Sequence, residues 1–197
     1  SSSPIQLPGT TWRDVKMGGR FCLATKTDNT LWVWGTNYVG ILGNNDEGDG
    51  KGRSSPVQIP GTTWSKCGGV SYNGYAAWAL KNDGTLWAWG NNEYGALGQN
   101  QPSAEKRSSP TQIPGTNWDE IASAYVAGAG QPIVFATKTD GTLWSWGTNQ
   151  GDWKGGLGQN DIINRSSPTQ IGTDTDWFSD GGSFTAGGGW GAALKAP

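Results

Sequence analysis

The chain has 197 residues, a length that suits one domain or one repeat array. Its 14 lysines and arginines against 16 aspartates and glutamates give a net charge of -2, which argues against a nucleic-acid partner because phosphate binding needs a concentrated basic surface. No apolar run approaches the roughly 20 residues of a membrane helix, and no charged-then-apolar leader starts at Ser1, so we expect no membrane insertion and no signal peptide.

Glycine and tryptophan set this composition apart, with 33 and 13 residues. Hydrophobic residues make up 34% of the chain, which is little for an aliphatic core. Each tryptophan, however, buries on the order of 150–250 Å², so a few of them can replace many smaller side chains. Abundant glycine and tryptophan favour short strands and tight turns over helices, and we predict an all-β protein.

In chain order, the first recurring phrase is SSPxQxPGTxW, which appears three times and once more in degraded form. Its marker prolines lie 52, 54 and 58 residues apart, at Pro4, Pro56, Pro110 and Pro168. A period of about 50 residues filled with short strands predicts a propeller or a solenoid, and several strand-sized pieces per repeat favour four-stranded propeller blades of ~50–58 residues. The predicted repeats are residues 1–53, 54–107, 108–165 and 166–197, the last one incomplete.

The second recurring phrase is a hairpin followed by Trp-x-Trp. It reads KNDGTLWAWGNN at residues 81–92, with near copies at 26–37 and 138–149. Asp-Gly between apolar runs predicts a tight turn with φ > 0, which Gly84 adopts freely and which Asn29 tolerates in the first copy. The alternation after the turn predicts a strand that packs on both faces, and we interpret its recurring tryptophans as core.

The phrases ALKNDGTLWAWGNNEYGALGQN and SSPVQIPGTTW resemble the regulator of chromosome condensation repeat in its bacterial and phage-like form, over almost the whole chain. The resemblance implies a propeller, usually of seven blades, and leaves the function open. The family includes a nuclear exchange factor for a small GTPase, secreted inhibitors of β-lactamase and many uncharacterised proteins. This chain lacks the histidine that often follows the Gly-Gly of the family's inner strand, which argues against the exchange-factor role.

The fourth repeat stops after residues 192–195, where the hairpin and its Trp-x-Trp strand are due. We therefore predict three full repeats and about half of a fourth. Three arrangements are compatible with this count: an open partial propeller, a small ring with an unusual last blade, or half of a ring completed by another chain. An exposed strand edge promotes association, so we expect a protein partner or self-association.

Residues suited to catalysis or metal binding are scarce. Without histidine the chain has no imidazole base, no histidine metal ligand and no Ser-His or Cys-His pair. The acidic loop at residues 44–50 lacks the bidentate glutamate of an EF-type calcium loop, and no glycine run has the Lys-Ser/Thr of a phosphate loop. We predict no enzyme, no metal and no cofactor. Cys22 and Cys67 are compatible with either a disulfide or two unpaired buried thiols.

Loop insertions indicate where this chain binds a ligand, because recognition is commonly carried by loops on a rigid scaffold. The third repeat has three extra residues within 150–155, and they include a tryptophan without counterpart in the other repeats. Such a residue stacks on a sugar, anchors a protein interface or merely covers the gap made by its own insertion. The predicted binding residues are Trp153, Asp152, Gln150, Tyr38, Tyr94, Asn92 and Tyr125.

These observations predict a non-catalytic binding or structural module for protein–protein interaction or assembly, in an extracellular or virion-associated setting. The alternatives are a lectin-like propeller that binds carbohydrate through loop aromatics, and a secreted enzyme inhibitor. Trp153→Ala separates assembly from glycan binding: glycan binding should collapse, whereas assembly through a blade edge should survive.

Overall fold

The computed structural model describes residues 5–70, 76–101, 105–125, 132–150, 154–177, 184–187 and 190–193. Within these segments the chain forms fourteen β-strands and a 3₁₀ turn at Glu93–Gly95. The strands are β1 Trp12–Met17, β2 Phe21–Lys26, β3 Leu31–Gly35, β4 Arg53–Ile59, β5 Trp64–Val70, β6 Ala76–Lys81, β7 Leu86–Gly90, β8 Arg107–Gln112, β9 Trp118–Tyr125, β10 Pro132–Lys138, β11 Leu143–Gly147, β12 Arg165–Gln170, β13 Phe184–Gly187 and β14 Trp190–Ala193. The prediction of an all-β protein is confirmed.

The strands form three four-stranded antiparallel sheets, each a meander in chain order. We call them the first blade (residues 12–59), the second blade (64–112) and the third blade (118–170). β13 and β14 pair with each other as a two-stranded sheet. The predicted four-stranded blades are confirmed, and across the described residues the sheets form a partial propeller that is not closed into a full ring.

Each Ser-Ser-Pro strand is the outermost strand of the blade that precedes it. β4 pairs with β3, β8 with β7 and β12 with β11. A blade therefore begins at a marker tryptophan and ends inside the next Ser-Ser-Pro phrase, one strand out of phase with the sequence repeat. The marker prolines of these strands lack an N–H and lie on the outermost strand of each sheet, where no ladder hydrogen bond is lost.

The hairpins between the second and third strands of each blade turn through the predicted residues. Gly84 and Gly141 have φ of +74° and +77°, and Asn29 adopts φ of 62° in the first blade. The left-handed conformation is open to glycine and tolerated by asparagine, so one turn geometry serves all three copies.

A hydrogen-bonded hook behind each turn fixes the first tryptophan of Trp-x-Trp. In the second blade, Asp83 Oδ1 accepts from the backbone N–H and the hydroxyl of Thr85 at 3.0 and 2.6 Å. Thr85 Oγ1 in turn accepts from Trp87 Nε1 at 2.8 Å. The bonds from Thr85 hold the pKa of the Asp83 carboxyl below its ordinary value. The same hook recurs at residues 28–32 and 140–144.

A cluster of three tryptophans and a lysine recurs in each blade. In the second blade the ring of Trp64 lies 6.2 and 6.5 Å from those of Trp87 and Trp89, at steep interplanar angles. Lys81 Nζ lies 3.8 Å from the Trp87 ring centroid, a cation–π contact. In the second and third blades these tryptophans belong to or pack against the core, as predicted, whereas Trp12 and Trp34 of the first blade are only half-buried.

The innermost strands β1, β5, β9 and β13 lie side by side around the axis. Gly68 on β5 shows how closely they approach: a Cβ there would lie 2.5 Å from Ile121 Cγ2 and 2.9 Å from the Trp78 carbonyl oxygen. Glycine at this position therefore permits the close approach of the two inner strands.

The hydrophobic core lies between consecutive blades. Between the first and second blades, buried aliphatic side chains of one sheet meet tryptophan and small residues of the next, and the second and third blades repeat the arrangement. Cys67 belongs to the first of these clusters and is unpaired, as is the half-buried Cys22. Of the two predicted alternatives, unpaired thiols are found. Burial raises the pKa of the Cys67 thiol to about 12.

Candidate functional site

A loop and a tryptophan join each blade to the next, and we call this contact the blade joint. The loop at residues 39–43 of the first blade meets the second blade, where Trp89 Nε1 donates to the Ile41 carbonyl at 2.7 Å. At the next joint Trp146 Nε1 donates to the Ala96 carbonyl at 3.0 Å. A Cβ at Gly43 or Gly98 would lie only 2.9 or 2.8 Å from the indole nitrogen. The Gly-x-Leu-Gly pattern of this loop recurs at residues 40–43 and 95–98, but the sequence alone gave no sign that it joins blades.

Asn92, one of the predicted binding residues, supports this loop from inside. Its side chain is 1% exposed, and its Oδ1 accepts from the Leu97 N–H at 3.0 Å. Asn37 and Asn149 hold the equivalent leucines, Leu42 and Leu157, at the same distance. These contacts give Asn92 a structural role, and its predicted contact with a ligand stays a prediction.

Tyr38 is exposed, with 54% of its surface accessible against 36% for Tyr94. It lines a cleft of about 540 Å³ on the first blade, together with Arg20, Asn37 and Arg53. Glycine backbone and Asp49 complete the wall. The Tyr38 cleft thus combines an aromatic ring with two guanidinium groups, which suits recognition of a polar or acidic protein surface.

Arg53 differs from its counterparts in the other blades. Arg107 pairs with Glu105 at 2.8 Å, and Arg165 pairs with Asp161 at 2.5 Å. All three arginines donate from Nη1 to a nearby carbonyl, and Arg53 does so to residues 51 and 52 at 3.0 and 3.1 Å. In the part of the chain that the structure describes, no carboxylate lies within ion-pair distance of Arg53. Its charge is therefore available to a ligand in the Tyr38 cleft.

Tyr94 occupies a different position from Tyr38. It lies in the 3₁₀ turn with φ of 56° and is 36% exposed. Tyr94 is the second residue after its supporting asparagine, so its equivalent in the first blade is Val39, which is buried. Tyr38 is the first residue after its asparagine and is equivalent to Glu93. The two tyrosines therefore do not form equivalent sites on their blades.

The other predicted binding residues are distributed over the third blade. Gln150 is exposed directly after β11, and Tyr125 ends β9, where it pairs with Pro132. Asp152 and Trp153 lie outside the described residues. The first and third blades are not neighbours, so the structure does not bring the predicted residues into one site.

The acidic loop at residues 44–50 is tied into the fold at Asp46. The Asp46 carbonyl accepts from Asn37 Nδ2 at 2.8 Å, and its carboxylate lies 3.4 Å from Lys51 Nζ. Among the described residues, no three acidic or cysteine side chains are grouped so that they could hold a metal ion. The described segments also contain no helix long and apolar enough to span a membrane.

Sequence comparison finds relatives that share these repeats. Residues 83–130 match the family model of the Regulator of chromosome condensation (RCC1) repeat. The mitochondrial RCC1 domain-containing protein RUG3 of Arabidopsis thaliana is 30% identical over 133 residues, which cover 68% of this chain and 28% of that protein. The human E3 ubiquitin-protein ligase HERC2 is 28% identical over 149 residues, 74% of this chain and 3% of that protein. The chain thus spans a small part of these relatives.

Solved structures share the fold. Human WBSCR16 is similar with a TM-score of 0.74 at 21% identity, covering 99% of this chain and 48% of that one. Prp20p of Saccharomyces cerevisiae is similar with a TM-score of 0.70 at 19% identity, covering 95% and 44%. The likeness confirms the propeller-type architecture, and this chain spans less than half of either structure.

Proposed function

From the repeats of the RCC1 family that this chain carries, we propose that it is a non-catalytic protein-interaction module. The observation that carries the proposal is the Tyr38 cleft. The exposed ring of Tyr38, the exposed Arg20 and the partly buried Arg53 line this cleft, next to a loop that the buried Asn37 holds in the fold. An aromatic residue beside arginine is the combination that most often anchors protein interfaces.

The fold neighbours support an interaction role. Prp20p has been described with its binding properties to Gsp1p and histones, and yeast RCC1 (Prp20) has been solved bound to Kap60. Gsp1p, histones and Kap60 are partners of those proteins. For this chain we propose only the same use of the fold, in which rigid blades present loops to another protein.

The Tyr38 cleft favours a partner with an acidic or hydroxyl-bearing side chain. Arg53 shares the carbonyl bond of Arg107 and Arg165 but lacks their carboxylate among the described residues, so a carboxylate from a partner would complete the pattern. Asp49 in the cleft wall disfavours a highly charged anion and so favours a single carboxylate.

The setting we propose is the surface of a virion or cell. It is supported by the resemblance of the repeats to the phage-like form of the family. Antibody labelling of intact particles or cells tests it: labelling of unbroken material supports the proposal, and labelling only after lysis contradicts it.

Site-specific cross-linking tests the interaction role. A photoreactive phenylalanine analogue replaces Tyr38 in one variant and Ile163 in another; Ile163 is 60% exposed on the third-blade linker and serves as the matched control. Each variant is irradiated in extract of the source organism, and the adducts are identified by mass spectrometry. We expect a protein adduct at position 38 that is absent at position 163. The same set of adducts at both positions, or none at position 38, would contradict the proposal.

A further inference from the structure

A pocket of about 380 Å³ lies beside the first blade joint, where residues of both β4 and β8 line it. That volume is within the range of small-ligand sites, about 300–1,000 Å³. Its wall is mainly apolar and includes the half-buried Trp87, so we call it the Trp87 pocket. The polar part of the wall is formed by Asn44, Asn45, Gln58 and Lys81.

The second joint repeats this wall with one change. Counted along each repeat, every residue that lines the Trp87 pocket has an identical counterpart there, except that Gln99 replaces Asn44. Gln99 Nε2 donates to the carbonyls of Ala88 and Thr111 at 3.4 and 3.0 Å, which ties its amide to its own blade. Gln159 donates to two carbonyls of the third blade in the same way.

Asn44 is shorter by one methylene, and its amide stays available. Its Oδ1 accepts from Asn37 Nδ2 at 3.4 Å, while no acceptor for its own Nδ2 is found among the described residues. The next residue shows the same contrast. Asn100 Oδ1 accepts from Ser167 Oγ at 3.3 Å, whereas the side chain of Asn45 has no partner in the described part of the chain. The first joint thus leaves amide groups unpaired whose counterparts are bonded at the second.

Two further polar groups of the pocket are unpaired. Gln58, exposed near the end of β4, makes no side-chain hydrogen bond within the described residues. Lys81 Nζ lies over the Trp87 ring, and no described carboxylate is within ion-pair distance of it. An amide both donates and accepts, as a hydroxyl does, and an ammonium group complements a carboxylate. A ring that carries hydroxyls and one carboxylate matches this set.

We propose that the Trp87 pocket binds a sugar acid, a hexuronate unit of a glycan. The carboxylate accepts from Lys81 Nζ, and the hydroxyls bond the amides of Asn44, Asn45 and Gln58. The apolar face of the sugar ring lies against the tryptophan wall. This is a second binding activity, and it does not depend on the interaction role proposed for the Tyr38 cleft, since the two sites share no lining residue.

Titration of sodium glucuronate and sodium galacturonate into the ¹⁵N-labelled full chain tests the proposal, with the indole N–H signals followed by NMR and sodium chloride as the blank. We expect a saturable shift of the Trp87 signal at roughly millimolar concentration, because one ring makes only a few hydrogen bonds. Glucose and galactose lack the carboxylate and should bind about tenfold more weakly, the value of one hydrogen bond to a charged group. The Trp144 signal at the second joint should respond less, since Gln99 and Asn100 are bonded there.

Two matched pairs of variants assign the contacts. Lys81→Met keeps the stem over the indole but removes the charge, so the preference for the acid over the neutral sugar should disappear. Lys138→Met, the same change at the second joint, should leave that preference intact. Asn44→Gln installs the residue of the other two blades and should fold normally, but it should weaken glucuronate binding by about fivefold, the value of one neutral hydrogen bond. Gln99→Asn should leave the response of Trp87 unchanged.

Four results would overturn the proposal. They are an unmoved Trp87 signal with both acids at high millimolar concentration, an equal response to acids and neutral sugars, an equal response of Trp144, or an equal response to a blocked aspartate, N-acetyl-aspartate amide. The last result would make an acidic peptide the occupant. Failure here leaves the cross-link at position 38 unaffected, because Tyr38 lies outside the Trp87 pocket.

Discussion

At the scale of single residues, the three aspartate hooks make stability depend on pH. Hydrogen bonds from threonine lower the pKa of Asp28, Asp83 and Asp140 below the ordinary value of 3.8. A carboxyl with a depressed pKa in the folded state contributes stability that is complete above its unfolded pKa and is lost as pH falls through the folded pKa.

We therefore expect the free energy of unfolding to fall below about pH 4, as these carboxyls take up protons. Replacing all three by asparagine keeps an acceptor oxygen but removes the titrating carboxyl. The free energy of unfolding should then fall less steeply at low pH. Urea unfolding followed by tryptophan fluorescence between about pH 5 and pH 2.5 measures it. Asp49→Asn, in the exposed acidic loop, is the control. If the triple variant loses as much stability at low pH as the wild type does, the aspartate hooks are not the cause of that loss.

The two thiols should differ in reactivity because only the thiolate attacks. Burial raises the pKa of both, to about 12 for Cys67. With a thiol-reactive disulfide reagent at pH 8, Cys22 should react slowly and Cys67 only after unfolding, as read by peptide mass mapping. Equally fast labelling of Cys67 in the folded protein would contradict its burial between blades.

At the scale of elements, the blade joint offers a matched pair of substitutions. Trp89→Phe removes a buried 2.7 Å hydrogen bond to the Ile41 carbonyl and leaves a gap. We expect a loss of about 2–4 kcal/mol in the free energy of unfolding. Trp34→Phe changes the same position in the first blade, where the tryptophan is only half-buried, and should stay within about 0.5 kcal/mol of wild type. Equal losses in the free energy of unfolding for Trp89→Phe and Trp34→Phe, measured with urea, would show that the two indoles are equally buried.

Close approach of the inner strands makes Gly68 intolerant of a side chain. Gly68→Ala would place a Cβ against Ile121 and the Trp78 carbonyl, and should cost about 1–3 kcal/mol. Ile121→Ala relieves part of the clash, so the double variant should lose less than the sum of the single variants. Strict additivity in a double-mutant cycle would exclude the contact as the source of the loss.

Sequence rules predicted the local elements well because local physics determines them. The turn at Gly84 and the Trp-x-Trp strand follow from turn chemistry and a period of two. The strand at which each blade begins could not be predicted, because β3 and β4 pair across the long loop at residues 36–52 and no local rule covers such a pairing. Asn92 was predicted to bind a ligand because asparagine in a loop suits ligand recognition as well as loop support. Its loop-supporting role became visible only from its burial in the structure.

At the scale of the whole molecule, the repeats predicted a propeller-type array and the structure confirms it. The sequence could not distinguish a covered blade face from an open one, since the exposed Val15 and the buried Ile121 are both ordinary apolar strand residues. Exposure depends on what lies next to each blade, which is tertiary information. The interaction role proposed here follows from the Tyr38 cleft.

The central structural claim is that two of the equivalent joint tryptophans are covered and the third is open. Solvent exchange of the indole N–H groups in the full chain, measured by NMR with Trp34→Phe, Trp89→Phe and Trp146→Phe for assignment, tests it most directly. We predict strong protection for Trp89 and Trp146, and exchange at Trp34 faster by at least about a hundredfold, because their indole hydrogen bonds open only when a joint separates. Equal protection at all three positions would show that the Trp34 face is covered and would contradict the account.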